Sequence, residues 1–142
     1  MPRAAGAGRG LLSALQELTD STEAIQRVRC RFRCPAQFEC DHLTGVQLYR
    51  ISQEAINNAV RHGEAKNIEV TLAATSPDEY RLTIADDGRG FDADARPLRK
   101  GGLRLMEYRA NMIGGVFVVD SQPGLGTRVN CDFSIAADRL PR

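Results

Sequence analysis

The most informative stretch of this 142-residue chain is Gln53-Glu54-Ala55-Ile56-Asn57-Asn58-Ala59-Val60-Arg61-His62. Glu54, Asn58 and His62 stand four residues apart, so on a helix they form one polar stripe. A neighbouring apolar stripe predicts a helix over 46–62 with one face in a core; its members are Leu48, Ile51, Ala55 and Ala59. A carboxylate and an amide oxygen at the edge of that face suit a magnesium ion and a phosphate chain. Taken alone, the polar stripe is more typical of a solvated helix edge.

Two glycine-rich segments downstream predict further parts of a ligand site. Asp86-Asp87-Gly88-Arg89-Gly90 follows a strand predicted over 80–85, so a sharp turn should leave backbone open to a ligand. Asp-Gly is also a common turn signal. Lys100-Gly101-Gly102-Leu103 runs into apolar residues at steps of three and four, which predicts a helix whose amino end can bind an anion. In isolation this segment is equally typical of a plain loop-to-helix turn. Gly114 and Gly115 are predicted to close that helix.

In this order the segments resemble the catalytic, ATP-binding domain of sensor histidine kinases, within the superfamily that includes DNA gyrase B, Hsp90 and MutL. The 53–62 helix resembles its N box, Asp86-x-Gly88-x-Gly90 its first glycine box, and Gly102-Leu103-x-x-Met106 its second. Ser121-Gln122-Pro123-Gly124-Leu125-Gly126-Thr127 resembles the turn between its last two strands. The resemblance covers 30–135, and Met106-x-x-Arg109-Ala110 resembles the subclass with a short ATP lid, here predicted over 91–99.

The resemblance implies ATP and Mg²⁺ as cofactors. Asn58 would coordinate Mg²⁺, and Glu54 would be the catalytic polar group or general base nearest the γ-phosphate. Asp86, supported by Thr127, would accept a hydrogen bond from the amino group of adenine. The other residues implied to bind nucleotide are His62, Gly88, Gly90, Lys100, Gly101, Gly102 and Leu103.

Lys100 departs from the family pattern, which has glycine at this position. Its β-carbon would restrict the lid or crowd the phosphates, which predicts impaired turnover. Alternatively, its ammonium group would itself reach a phosphate as a point charge.

The predicted fold is a two-layer α/β sandwich, a mixed and mostly antiparallel sheet with helices on one face. Strands are predicted over 27–34, 68–73, 80–85, 116–120 and 128–135. Residues 1–26 are predicted as a disordered tail, up to Gly10, and a connector helix; residues 27–142 are predicted as the ATP-binding domain. In that helix apolar residues and Thr22 recur at steps of four and three. This segment resembles the end of the helix that joins the dimerisation hairpin of a histidine kinase to its ATP-binding domain. The alternative is an amphipathic helix packed on its own domain.

Charge and cysteine usage narrow the class of protein. With 19 basic and 18 acidic residues, the chain has no field to attract nucleic acid or an acidic membrane. It has no apolar run of about 20 residues and no secretory signal, so we expect a cytoplasmic domain without direct membrane contact, compatible with a membrane-anchored parent. Cys30 and Cys34 alternate with arginines as on a strand with one buried face; metal binding with Cys40 and His42, or redox sensing, is the alternative.

The leading hypothesis is a histidine kinase domain that transfers the γ-phosphate of Mg-ATP. The only histidines are His42 and His62, and neither lies in a phosphoacceptor motif. The acceptor would therefore be a histidine on a separate dimerisation domain, with a response regulator downstream. Two alternatives are a stand-alone serine kinase of the anti-sigma-factor type and a nucleotide-sensing module without transfer activity.

Overall fold

The computed structural model describes residues 8–34, 37–92 and 101–135. Within these ranges the chain forms three helices and five strands, in the order α1 (Gly8–Gln26), β1 (Arg29–Arg33), α2 (His42–Arg61), β2 (Asn67–Ser76), β3 (Glu79–Asp86), α3 (Gly101–Met112), β4 (Val116–Ser121) and β5 (Thr127–Ser134). Lys100 and all but the first two residues of the predicted lid lie outside the described residues.

The strands form one sheet in the order β1-β2-β3-β5-β4. β1 pairs with β2 in parallel, while the other three pairings are antiparallel. The parallel pair requires a crossover, and α2 supplies it. The prediction of a mixed, mostly antiparallel sheet with helices on one face is confirmed.

The helices cover the sheet face that carries the alternating apolar residues of the strands. α2 packs on the sheet through the predicted apolar stripe, whose members are all buried: Leu48, Ile51, Ala55 and Ala59. The strands contribute Ile68, Val70 and Leu72 from β2, Leu82 and Ile84 from β3, and Val129, Cys131 and Phe133 from β5. The inward-facing side chains of the strands and the apolar stripe of α2 therefore pack in one core.

Both α1 and α2 begin earlier than predicted. α1 begins at Gly8, so the prediction of a tail up to Gly10 is wrong for its last three residues. α2 begins at His42, four residues before the predicted start, because Asp41 caps it. The Asp41 carboxylate accepts hydrogen bonds from the Thr44 backbone N–H (3.3 Å) and hydroxyl (2.6 Å), which satisfies an amide that the helix itself leaves free.

α1 packs on its own domain. Leu11 and Leu15 are buried in the core, together with Thr19 and Thr22, whereas Ile25 is 74% exposed. Most of the residues that recur at steps of four and three in α1 therefore pack against this domain, as the hypothesis of an amphipathic helix packed on its own domain expected. The division of the chain at residues 26 and 27 stays a prediction. No described helix is both long enough and apolar enough to span a bilayer.

The buried cysteines belong to the apolar core. Cys30 faces the core from β1, as predicted, and Cys34 is half-buried. Burial raises the pKa of Cys30 to about 11 and those of Cys40 and Cys131 to about 12. These three thiols therefore stay protonated at neutral pH and behave as small apolar side chains.

Candidate nucleotide site

A cavity of about 550 Å³ opens between α2, the amino end of α3 and the adjacent ends of β3 and β5. This volume is typical of small-molecule sites. Its lining residues are Ala55, Asn58, Ala59, His62, Gly63, Ile84, Asp86, Arg89, Gly90, Phe91, Gly102, Leu103, Met106, Thr127 and Val129. Buried apolar side chains therefore form part of its wall, with polar groups at two separate places.

The first polar group is at the end of β3. Asp86 is the last residue of that strand and pairs across the sheet with Thr127, the first residue of β5. Its carboxylate accepts a hydrogen bond from the Gly88 backbone N–H at 2.7 Å. Burial raises the pKa of Asp86 above its ordinary range, an effect that hydrogen bonds from the backbone amides of Gly88 and Thr127 partly offset. A half-buried carboxylate thus faces the cavity and can accept hydrogen bonds from a ligand.

At the Asp86 end of the cavity, two glycines allow the backbones of neighbouring loops to approach closely. A β-carbon on Gly88 would lie 2.6 Å from the Gly63 carbonyl oxygen. Gly90 has φ +64°, and a β-carbon there would overlap the carbonyl oxygens of Gln122 and Gly126. The protein's own packing therefore requires both glycines. The loop between them is fixed too, since the Arg89 N–H donates to the Gly63 carbonyl oxygen at 2.8 Å.

Asp87 lies next to Asp86 but faces away from the cavity. Its carboxylate accepts three hydrogen bonds, from the backbone N–H groups of Lys66 and Asn67 (both 2.9 Å) and from the Asn67 side chain (2.7 Å). The hydrogen bond from the Asn67 side chain is the main cause that lowers the pKa of Asp87. Asp87 thereby fastens the β3 end to the start of β2.

The second polar group forms where α3 begins beside α2. A β-carbon on Gly102 would overlap Oε2 of Glu54 and lie 3.0 Å from Nδ2 of Asn58. Glycine therefore lets the amino end of α3 approach both polar side chains. In the described part of the chain, neither the Glu54 nor the Asn58 side chain has a hydrogen-bond or ion-pair partner.

Side-chain and backbone contacts fix the position of α3. The Arg109 guanidinium donates to the Gln47 side-chain oxygen of α2 at 3.0 Å. Met106 and Ala110 of α3 are buried in the core. At the other end, Gly114 has φ +69° and the Gly115 N–H donates to the Ala110 carbonyl oxygen at 2.8 Å, so the prediction that glycines close this helix is confirmed.

Comparison with known proteins agrees with this arrangement. Residues 44–137 match the family model described as histidine kinase-, DNA gyrase B- and HSP90-like ATPases. This chain belongs to that family.

Relatives of this ATPase domain include sensor kinases. Over 125 residues the chain is 34% identical to the signal transduction histidine-protein kinase/phosphatase DegS of Bacillus subtilis, which is 83% of this chain and 32% of DegS. It is 40% identical over 99 residues to the sensor protein VraS of Staphylococcus saprophyticus, which is 69% of this chain and 26% of VraS. The chain thus spans about a third or less of these relatives.

A solved structure shares the fold of the ATPase domain. The histidine kinase domain of the Erythrobacter litoralis EL346 blue-light activated histidine kinase matches with a TM-score of 0.75 at 21% identity. The match covers 88% of this chain and 61% of the other.

The structure brings most of the predicted site residues to one cavity. Asn58, His62, Asp86, Gly90, Gly102, Leu103 and Thr127 line it. Gly88 packs behind Asp86, Glu54 lies beside Gly102, and Gly101 begins α3, whereas Lys100 lies outside the described residues. His62 is exposed at the rim.

Sequence reasoning did not assign to the site the apolar lining of the cavity, formed by Ile84, Met106 and Val129, or the loop residues Gly63 and Arg89. Phe91, which also lines the cavity, is the first residue of the predicted lid. The alternation in the strands could have indicated Ile84 and Val129 as inward-facing residues. Nothing local in the sequence indicates that Gly63 meets the 88–90 loop.

Proposed function

We propose that this chain is the catalytic domain of a sensor histidine kinase that transfers the γ-phosphate of Mg-ATP to a histidine on a separate dimerisation domain. One observation carries the proposal: the cavity joins a half-buried carboxylate at the β3 end to the Glu54–Asn58–Gly102 contact at the α3 end. Family membership and sensor-kinase relatives support it.

The adenine base would lie at the Asp86 end. Asp86 and Thr127 offer oxygen acceptors there, and the side chains of Ile84, Met106 and Val129 provide an apolar surface. A flat base with an exocyclic amino group fits an apolar slot that ends in a carboxylate. Glu54 lies on α2 and His62 is the residue that caps its carboxyl end. The two are eight residues apart, about 12 Å at 1.5 Å per residue, so the remainder of the nucleotide would extend along this helix.

The phosphates would lie at the Gly102 end. The backbone N–H groups that begin α3 have no partner within the helix, and the helix dipole favours an anion there. The Asn58 amide oxygen is a hard ligand that fits a magnesium ion, which takes few protein ligands and keeps phosphates and waters. When bound, Mg²⁺ would neutralise charge on the phosphate oxygens. Lys100 adjoins this end in sequence, and its ammonium group would contact a phosphate.

In the proposed reaction an imidazole nitrogen of the acceptor histidine attacks the γ-phosphorus, and the bond from that phosphorus to the β–γ bridging oxygen breaks. Phosphohistidine and ADP result. The domain's own residues hold the nucleotide in line, and the amino end of α3 stabilises the charge on the transferred group. Glu54, beside Asn58, would orient the acceptor imidazole and take its proton. The phosphohistidine would then supply a response regulator. The need for ATP supports a cytoplasmic location.

Transfer in trans tests this function. The full chain would be incubated with γ-labelled ATP and the isolated dimerisation domain of a related kinase such as DegS. We expect label on that domain in an acid-labile, base-stable form typical of phosphohistidine. Glu54→Gln should lower the transfer rate by about 10²-fold, the usual range for a lost acid–base group, with ADP affinity unchanged within about threefold.

Glu17→Gln, on the exposed side of α1, is the matched control and should transfer normally. Nucleotide binding without transfer to any hairpin would favour the nucleotide-sensing module. Acid-stable label on the serine of a small partner would favour the serine kinase.

A further inference from the structure

A buried serine lies behind the Asp86 end of the cavity. Ser121, the last residue of β4, is 6% exposed and pairs across the sheet with Thr127. Its hydroxyl oxygen accepts a hydrogen bond from the Phe91 backbone N–H at 2.9 Å and donates to the Gly126 carbonyl oxygen at 3.1 Å. The same oxygen lies 2.8 Å from the Thr127 hydroxyl oxygen. Sequence reasoning assigned Ser121 no role.

Counting protons fixes the direction of the last hydrogen bond. A serine hydroxyl has one proton and two lone pairs. The Phe91 N–H occupies one lone pair, and the Gly126 carbonyl, which can only accept, takes the proton. Thr127 must therefore donate its own proton to Ser121. The reverse arrangement would leave the oxygens of Ser121 and Gly126 at 3.1 Å with no proton between them.

The direction of this bond decides what Thr127 offers a ligand. Because its only hydroxyl proton points at Ser121, Thr127 offers lone pairs alone to the cavity that it lines. The neighbouring Asp86 carboxylate is likewise an acceptor. This end of the cavity is thus a wall of acceptors that matches donors on a ligand.

We propose that Ser121 is a specificity-determining residue that holds Thr127 as an acceptor and so makes the site select a 6-amino purine over a 6-oxo purine. The inference rests on the proposed function, because it places the base against Asp86. The two amino hydrogens of a 6-amino purine can be donated to Asp86 and Thr127, one to each. A 6-oxo purine would bring a carbonyl oxygen to the same two acceptors and leave buried polar groups unpaired, which a site of this kind rejects strongly. If Ser121 were absent, the Thr127 hydroxyl would rotate and donate to that carbonyl.

The test compares ADP with inosine diphosphate, which differs at the 6-position and in the proton on the adjoining ring nitrogen. Calorimetric titration of the full chain should show that wild type prefers ADP strongly. Ser121→Ala should lower the ratio of the two affinities at least fivefold, mainly by tighter inosine diphosphate binding relative to ADP. Thr127→Ser, which keeps the hydroxyl, should keep the wild-type ratio.

A double-mutant cycle separates this role from simple support of the loops. On a Thr127→Val background, which has no hydroxyl to rotate, Ser121→Ala should leave the ratio unchanged. Losing the Phe91 hydrogen bond weakens both nucleotides alike and does not change the ratio. If Ser121→Ala does not fold, Ser121→Cys carries the same expectation, because a thiol is a weak acceptor of similar size.

The proposal is overturned if the ratio in Ser121→Ala equals that of wild type, or if Ser121→Ala lowers it equally on the Thr127→Val background. Failure of the proposed function looks different. In that case the wild-type chain binds neither nucleotide, or Asp86→Asn leaves ADP binding intact.

Discussion

The cavity side and the outer side of the β3 end use neighbouring carboxylates in opposite ways. Asp86 faces the cavity, is half-buried, and has its pKa raised mainly by that burial. Asp87 faces outward, accepts three hydrogen bonds from Lys66 and Asn67, and has its pKa lowered. The charge of Asp87 therefore stabilises the fold, whereas the charge of Asp86 opposes folding and is left for a ligand. Of these two adjacent residues, Asp87 therefore contributes to stability and Asp86 is placed for binding.

The largest loss of stability should come from a substitution that forces apart the loops packed against each other beside Asp86. Gly90→Ala adds a β-carbon against two carbonyl oxygens at φ +64°, so we expect a loss of about 3 kcal/mol or more in unfolding free energy. Gly124→Ala is the matched control, because Gly124 has φ +83° with open space around its β-carbon position; it should lose only about 1 kcal/mol. Urea unfolding measures both. Equal losses would show that the close backbone contact at Gly90 does not matter.

A smaller effect should separate the two carboxylates. Asp87→Asn places an amide against the Asn67 amide group and should lower the unfolding free energy by roughly 1 kcal/mol, kept small because this side chain is exposed. Asp86→Asn removes a charge that burial disfavours, so stability should stay the same or rise by up to about 1 kcal/mol. Urea unfolding of both variants at pH 7 checks the signs. A clear loss in Asp86→Asn would contradict the division between stability and binding.

The smallest effects appear in the pH dependence of stability. The pKa of Asp87 is lowered from 3.8, so its contribution is present above pH about 4 and is lost as the pH falls through the lowered value. The pKa of Asp86 is raised from 3.8, so the cost of its charge is full above the raised value and disappears as the pH falls to about 4. Relative to wild type, Asp87→Asn should thus lose less stability at pH 3 than at pH 7. Urea unfolding at the two pH values measures this, and an unchanged difference would contradict it.

Elements with a strong period were predictable from the sequence. The apolar stripe of α2, the inward residues of β2, β3 and β5, and the glycines that end α3 all follow from local spacing. The four-residue spacing of Glu54, Asn58 and His62 did place two of them, Asn58 and His62, on the cavity. Neighbours in sequence determine these features, so the spacing of residue types along the sequence is enough to predict them.

Features that depend on distant residues were not predictable. Ser121 accepts a hydrogen bond from Phe91, thirty residues away, and Asp87 accepts one from Asn67, twenty residues away. The tight fit of Gly90 exists only because the β4–β5 turn lies against it. The start of α2, in contrast, is a local feature, since Asp41 with Thr44 is a recognisable cap.

One titration tests the central claim, that Asp86 faces a nucleotide base while its neighbour does not. Wild type, Asp86→Asn and Asp87→Asn would each be titrated calorimetrically with Mg·ADP. We predict a tenfold to hundredfold loss of affinity for Asp86→Asn, the value of a hydrogen bond to a charged group, and a change within about threefold for Asp87→Asn. Normal ADP affinity in Asp86→Asn, or an equal loss in both variants, would contradict the account.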